Sequence, residues 1–202
     1  MFELMSEGVV MDVRSQLRPA ADAAARIVLE IPQDRLGDPT PCPGWDIRAL
    51  VNHLILWNAR GETAARKEPS TGPGEDHDFT AEPGWAERFE EQARRTAGAW
   101  SDPAAWEGNT SLTGNKEGMP AAFIAGIVLG ECVVHGWDLA IATGRDPAFP
   151  PEVVEAAWEQ LVPTAEMSRR YGAFGPEIQV PEDAPLLDRV LGLAGRDPRW
   201  KP

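Results

Sequence analysis

The sequence predicts an all-α fold: a four-helix bundle with additional C-terminal helices and an irregular tail. Two observations predict it. Apolar residues recur at i, i+3, i+4 and i+7 through four long stretches, the mark of amphipathic helices. Segments dense in Pro, Gly and charge separate those stretches, and no run shows the strict alternation of a strand.

The first helix is expected over Val13–Ile31, with Val13, Leu17, Ala20, Ala24, Ile27 and Val28 on one stripe. Pro19 lies inside it, so either the helix kinks there or its first turn begins there. The stretch 34–45, DRLGDPTPCPGW, reads as a loop. Asp46 is a good N-cap for a second helix that starts at Ile47 and runs to about Arg66. Residues 68–83 are polar and rich in Gly and Pro, and His77 within them is expected in solvent. A third helix covers Gly84–Trp100, with Trp85, Phe89 and Ala93 on its buried side. A long connection over 102–118 carries no clear signal. The fourth helix starts near Met119 and Pro120 and ends at Gly144, and it is the most apolar segment. Pro151–Arg170 reads as a fifth helix and Pro185–Ala194 as a short sixth, with an irregular segment between them.

These elements divide the chain into a bundle over 12–145 and a C-terminal helical extension over 146–202. The extension has too few apolar residues for a core of its own, so it is expected to pack on the bundle within a single domain. The net charge is −13 and the pI about 4.6. Such a surface repels phosphate, so no nucleic acid partner is expected. No run approaches the roughly 20 apolar residues of a membrane span, and no membrane partner is expected. Met1–Met11 lacks the basic and apolar regions of a secretory signal, and its first ten residues are expected to fray. Two widely spaced cysteines, Cys42 and Cys132, do not make a disulfide framework, which points to a cytoplasmic protein with reduced thiols.

Three histidines are present, and two fall inside expected helices. His53 shares the core-facing stripe of Leu50, Leu54 and Trp57. Glu131 and His135 are four apart on the fourth helix, so they project from one face with Cβ atoms about 5–6 Å apart. A buried, unpartnered Glu131 would be costly, and a divalent cation removes that cost. Two imidazoles and one carboxylate suit zinc with a position left open. The same set suits nickel, manganese or iron(II). Spacing alone leaves two plainer roles open: an ordinary His–Glu ion pair, and a core histidine with one satisfied nitrogen.

The segment TPCPGWDIRALVNHL, Thr40–Leu54, resembles the start of the second helix in the mycothiol-dependent maleylpyruvate isomerase family of the DinB-like superfamily. GECVVHGWDLAIATGR, Gly130–Arg145, resembles that family's fourth-helix motif. The tail FGPEIQVPEDAPLLDRVLGLAGRDP resembles actinobacterial DinB-like proteins of this length. The resemblance implies a metal held by His53, Glu131 and His135, and mycothiol as a co-substrate. The family's isomerase carries a further C-terminal domain that helps form its active site, whereas roughly 57 residues follow Arg145 here. The bundle and the metal carry over on this resemblance; the substrate does not.

Around that core, Asp138 is a candidate to orient a ligand. Trp45, Trp57 and Trp137 are candidate pocket walls. Cys132 points about 100° away from Glu131 and is not expected to be a ligand; Cys42 reads as a small buried group near the site mouth. The expected function is that of a divalent-metal-binding protein, an enzyme using a low-molecular-weight thiol for transfer to, or isomerisation of, a small electrophile. A metal-activated-water hydrolase and a non-catalytic metal-binding or ligand-sensing bundle are the alternatives. A small-molecule substrate is the expected partner, and a homodimer is compatible with the sequence.

Overall fold

The computed structural model describes residues 7–115 and 117–202. Seven α-helices are described: α1 (Glu7–Leu29), α2 (Ile47–Arg66), α3 (Trp85–Ala99), α4 (Ala121–Ala142), α5 (Pro151–Leu161), α6 (Ala165–Arg170) and α7 (Leu186–Leu193). Helices α1 to α4 close a ring, in which α1 packs on α3 and α4, and α2 packs on the same two from the opposite side. The all-α bundle follows the helical periodicity of the sequence.

α1 continues through Pro19 and is formed from Glu7, so Pro19 does not start it. Of the N-terminal stretch expected to fray, residues 1–6 lie outside the described residues. Val13, Leu17, Ala20, Ala24 and Val28 are all buried against the other helices. α2 begins where its cap predicts: the Asp46 carboxylate accepts from Ala49 N. α3 is locked onto α2 by side chains that reach its backbone carbonyls. Trp100 Nε1 donates to Gly61 O at 3.1 Å, and Thr96 Oγ1 to Asn58 O at 2.8 Å.

The connection between α3 and α4 holds a 3-10 turn, Pro103–Trp106, and a two-stranded antiparallel pair, β1 (Asn109–Thr110) with β2 (Met119–Pro120). Strands of two residues are too short to leave an alternating pattern. Thr110 Oγ1 ties this pair to α2 through Ala64 O.

α4 is buried on nearly every face, which is why it is apolar all round. By length and composition it is long enough to cross a bilayer, contrary to the sequence reading, and 72% of that stretch is buried inside the bundle. Its C-terminus receives two donors from Arg35, on Ala142 O and Thr143 O.

The expected fifth helix is two helices. It ends at Leu161 and α6 restarts at Ala165, because Pro163 has no amide hydrogen to continue the ladder, although Val162 before it keeps helical angles. α5 packs on α1 and α4, and α7 packs on α5. Between α6 and α7 the chain is irregular and is pinned to α7 by Ile178 N donating to Gly192 O.

Candidate metal centre

α2 and α4 face each other across the ring, and that packing brings three side chains together. His53 Nε2 lies 2.7 Å from Glu131 Oε2, and His135 Nε2 lies 3.6 Å from the same oxygen. One donor atom from each of the three lies within 4.8 Å of the other two. Leu50 and Leu54 flank His53 and are fully buried, so the helix anchors firmly on either side of the imidazole.

Glu131 is a carboxylate in this environment. Burial on its own raises its pKa. The charge of His135, the hydrogen bond from His53 and the more distant Arg196 outweigh burial and hold it at about 2.

His135 has its second nitrogen occupied. Its Nδ1 lies 3.0 Å from Asp138 Oδ2. Asp138 is completely buried and receives Arg196, whose Nη2 donates to Oδ2 at 3.2 Å. A neutral His135 that keeps its hydrogen on Nδ1 for this carboxylate would turn the Nε2 lone pair toward Glu131 and His53. The sequence expectation for Asp138 concerned this contact, and the structure places the two residues together.

A loop completes the site from above. Gly44 has φ +80°, a left-handed conformation open to glycine, and the Thr40 hydroxyl donates to Trp45 O at 2.8 Å. This presents the Trp45 ring edge-on to His53 at 4.8 Å and nearly parallel to His135 at 6.1 Å. Trp57, one turn along from His53 on α2, lies 5.6 Å from its ring.

Trp137 is a correction. It is buried and lines neither space beside the site. Two residues along a helix turn a side chain about 200°, so it points away from His135. His77 is half-exposed and sits 3.0 Å from Glu82. Cys132 is buried, and burial first, then Glu131, pushes its thiol up to about 12. Cys42 sits closer to the site. It forms a second cluster with His135 and Asp138, but the Arg196 guanidinium lies among them, with Nη2 3.3 Å from Cys42 Sγ. That cation already balances Asp138. Burial pushes the Cys42 thiol up to about 11 against the pull of Arg196, so without a metal it is a protonated thiol.

Two spaces meet the three residues. An open groove of about 600 Å³ reaches His53 past Trp45, Trp57, Asn52 and Asp78. On the other side a smaller, more enclosed cavity of about 110 Å³ reaches Glu131 and His135, and α5, α6 and the tail supply Gln160, Ser168, Phe174 and Arg196 to its wall. Sequence reading missed Gln160 and Arg196. Arg196 stands in the quoted tail motif, but its partner Asp138 is 58 positions away, and no spacing rule links them.

The residues present fit a divalent cation. Tetrahedral zinc keeps its ligand atoms about 3.4 Å apart, close to the His135–Glu131 spacing of 3.6 Å, whereas His53 and Glu131, hydrogen-bonded at 2.7 Å, would have to separate to admit it. Asp138 behind a ligating histidine is the partner such sites use.

A family model described as the mycothiol maleylpyruvate isomerase N-terminal domain matches residues 17–140. An uncharacterised protein of Mycobacterium tuberculosis is 27% identical over 193 residues, covering 94% of this chain and all of its own length. A second uncharacterised protein of that organism is 28% identical over 218 residues, covering 93% of this chain and 76% of its own. The crystal structure of the mycothiol-dependent maleylpyruvate isomerase superposes with a TM-score of 0.54 at 17% identity, over 81% of this chain and 71% of that one. A histidine-to-alanine mutant of that isomerase gives 0.53 at 15% identity, over 95% and 82%. At that identity the likeness is one of fold.

Proposed function

This chain belongs to the mycothiol maleylpyruvate isomerase N-terminal domain family, and from that premise we propose that it is a divalent-metal enzyme that uses a low-molecular-weight thiol on a small electrophile. Zinc is the metal we expect and mycothiol the thiol. The observation that carries the reading is Glu131 standing between two imidazole nitrogens, with solvent-connected space on both sides. A structural zinc is closed by four protein ligands, and three converge here.

His53, Glu131 and His135 would hold the cation. When bound, it would keep the sulfur of the thiol deprotonated near neutral pH and so nucleophilic. The protein's own residues do the rest. Asp138 fixes the His135 ring, and Arg196 fixes Asp138. Trp45 and Trp57 wall the larger groove, whose polar rim of Asn52, Arg48 and Asp78 suits a hydroxyl-rich thiol carrier. The cavity between α4 and the tail is the right scale for the reacting end of an electrophile. In this reading the tail forms one wall of the site.

The test is metal analysis of protein purified without chelator, followed by thiol-consumption assays with a panel of electrophiles. One equivalent of metal and chelator-sensitive thiol transfer are expected. Protein that binds no zinc, nickel, manganese or iron(II) at micromolar concentration would refute the reading. Hydrolysis of esters or amides without thiol would instead favour a metal-activated water.

A further inference from the structure

The smaller cavity contains a polar group without an evident occupation. Gln160, on α5, is 3% exposed, and its Nε2 is enclosed with no hydrogen-bond partner among the described residues. A buried amide donor normally finds a partner. Two other polar groups that the tail side brings here are already engaged, and the Ser168 hydroxyl also stands in the wall. The Thr164 hydroxyl donates to Gln160 O, and the Arg196 guanidinium is held by Asp138 and Ala194 O.

The position of Gln160 is built in from the opposite wall. Gly126 of α4 faces it, and a Cβ there would collide with the Gln160 side-chain amide. A glycine in the middle of a helix weakens it relative to alanine. Here its lack of a side chain leaves room for that amide beside Glu131 and His135 in the cavity wall.

We propose that Gln160 is a specificity-determining residue, which donates its amide hydrogen to the oxygen of a small, uncharged carbonyl compound bound in this cavity. The volume sets the size. A cavity of about 150 Å³ takes benzene, so about 110 Å³ takes a group somewhat smaller. Charge sets the class. Asp138 already neutralises Arg196, and the carboxylate of Glu131 with a thiolate would neutralise a divalent cation. A carboxylate entering the cavity would find no free positive charge, whereas a ketone, aldehyde or enone needs one hydrogen-bond donor. The role in the reaction rests on the thiol-transfer reading; the binding test below does not.

The experiment uses the full chain without metal and again with zinc. Butanone and propanoate, equal in heavy-atom count and smaller than benzene, are titrated while side-chain amide signals are followed by ¹H–¹⁵N NMR. Butanone should shift the Gln160 amide pair and bind at least tenfold more tightly than the carboxylate. Gln160→Leu should weaken butanone about tenfold, the scale of one buried hydrogen bond. Gly126→Ala, which displaces the amide without removing it, should weaken it similarly and covers the case in which Gln160→Leu fails to fold. Unchanged butanone affinity in Gly126→Ala or in a folded Gln160→Leu, an unmoved Gln160 signal, or tighter binding of the carboxylate would overturn the proposal. Failure of zinc to bind would sink the metal reading and leave these outcomes as they stand.

Discussion

Asp138 and His135 sit three residues apart on α4, with Oδ2 and Nδ1 separated by 3.0 Å in a buried setting. The contact is set by helical spacing, but its effect depends on Arg196, which reaches in from the C-terminal tail and holds the carboxylate from behind. The tail is thereby coupled to the orientation of an imidazole in the bundle.

Asp138→Asn should weaken zinc binding by about ten- to a hundred-fold, the usual cost of losing the group behind a ligating histidine. The amide can present its NH2 to Nδ1 and so favours the wrong tautomer. Competition titration with a chromophoric chelator reads the affinity, and circular dichroism confirms that the helices persist. Zinc affinity within twofold of the wild type would show that Asp138 serves packing alone.

Arg196→Met should destabilise the protein by about 3–5 kcal/mol, because it strands the charge of the fully buried Asp138. For a chain of this size that corresponds to a fall in Tm on the order of 10 °C. The Arg196→Met, Asp138→Asn double variant should be more stable than Arg196→Met alone, since no unpaired charge remains. Additive losses in thermal melts would mean that the two residues are not coupled.

The bundle was legible because its helices carry strong periodic stripes and clear caps: Asp46 marks the start of α2 correctly, and Phe89 and Ala93 mark the inner face of α3. His53, Glu131 and His135 stood out as candidates through i, i+4 spacing and a place on an apolar stripe, and their grouping as one ligand set came from the family resemblance. The break at Pro163 was readable in principle, but apolar residues continue on either side of it and masked the stop. Gln160 and Arg196 were not legible. Their roles depend on how α5 and the tail fold back over α4, and that contact leaves no local pattern in either segment. Trp137 neighbours His135 in sequence, but two helical residues rotate a side chain about 200° and carry it to another face.

Glu131→Gln should abolish tight metal binding and also change acid stability in the metal-free protein. The carboxyl is held at about 2 when folded, against 4.5 for the free group. A depressed pKa stabilises the fold above the unfolded value and is lost as pH falls through the folded one. The window is therefore about pH 4.5 down to about 2, and the loss is on the order of 3 kcal/mol. Denaturant melts across that range should show a shallower pH dependence in the variant. Parallel curves for the two proteins would mean that Glu131 gains nothing from its histidines.

Tryptophan fluorescence offers a direct reading of where the cation sits. Trp45 lies 4.8 Å from the His53 ring and 6.1 Å from the His135 ring, so it approaches two of the three expected ligands. Trp57 touches only His53, and its outer face carries the Arg60 guanidinium at 4.7 Å. Nickel(II), a quencher at short range, should therefore dim part of the emission of the eight tryptophans. Trp45→Phe should remove most of that quenching, and Trp57→Phe a smaller share. Trp137→Phe should leave it unchanged, because Trp137 faces away from both spaces beside the site. The substitutions keep an aromatic ring, so metal affinity should change little, and the signal rather than the binding is what is lost. Quenching that survives in Trp45→Phe and disappears in Trp137→Phe would place the cation away from His53, Glu131 and His135.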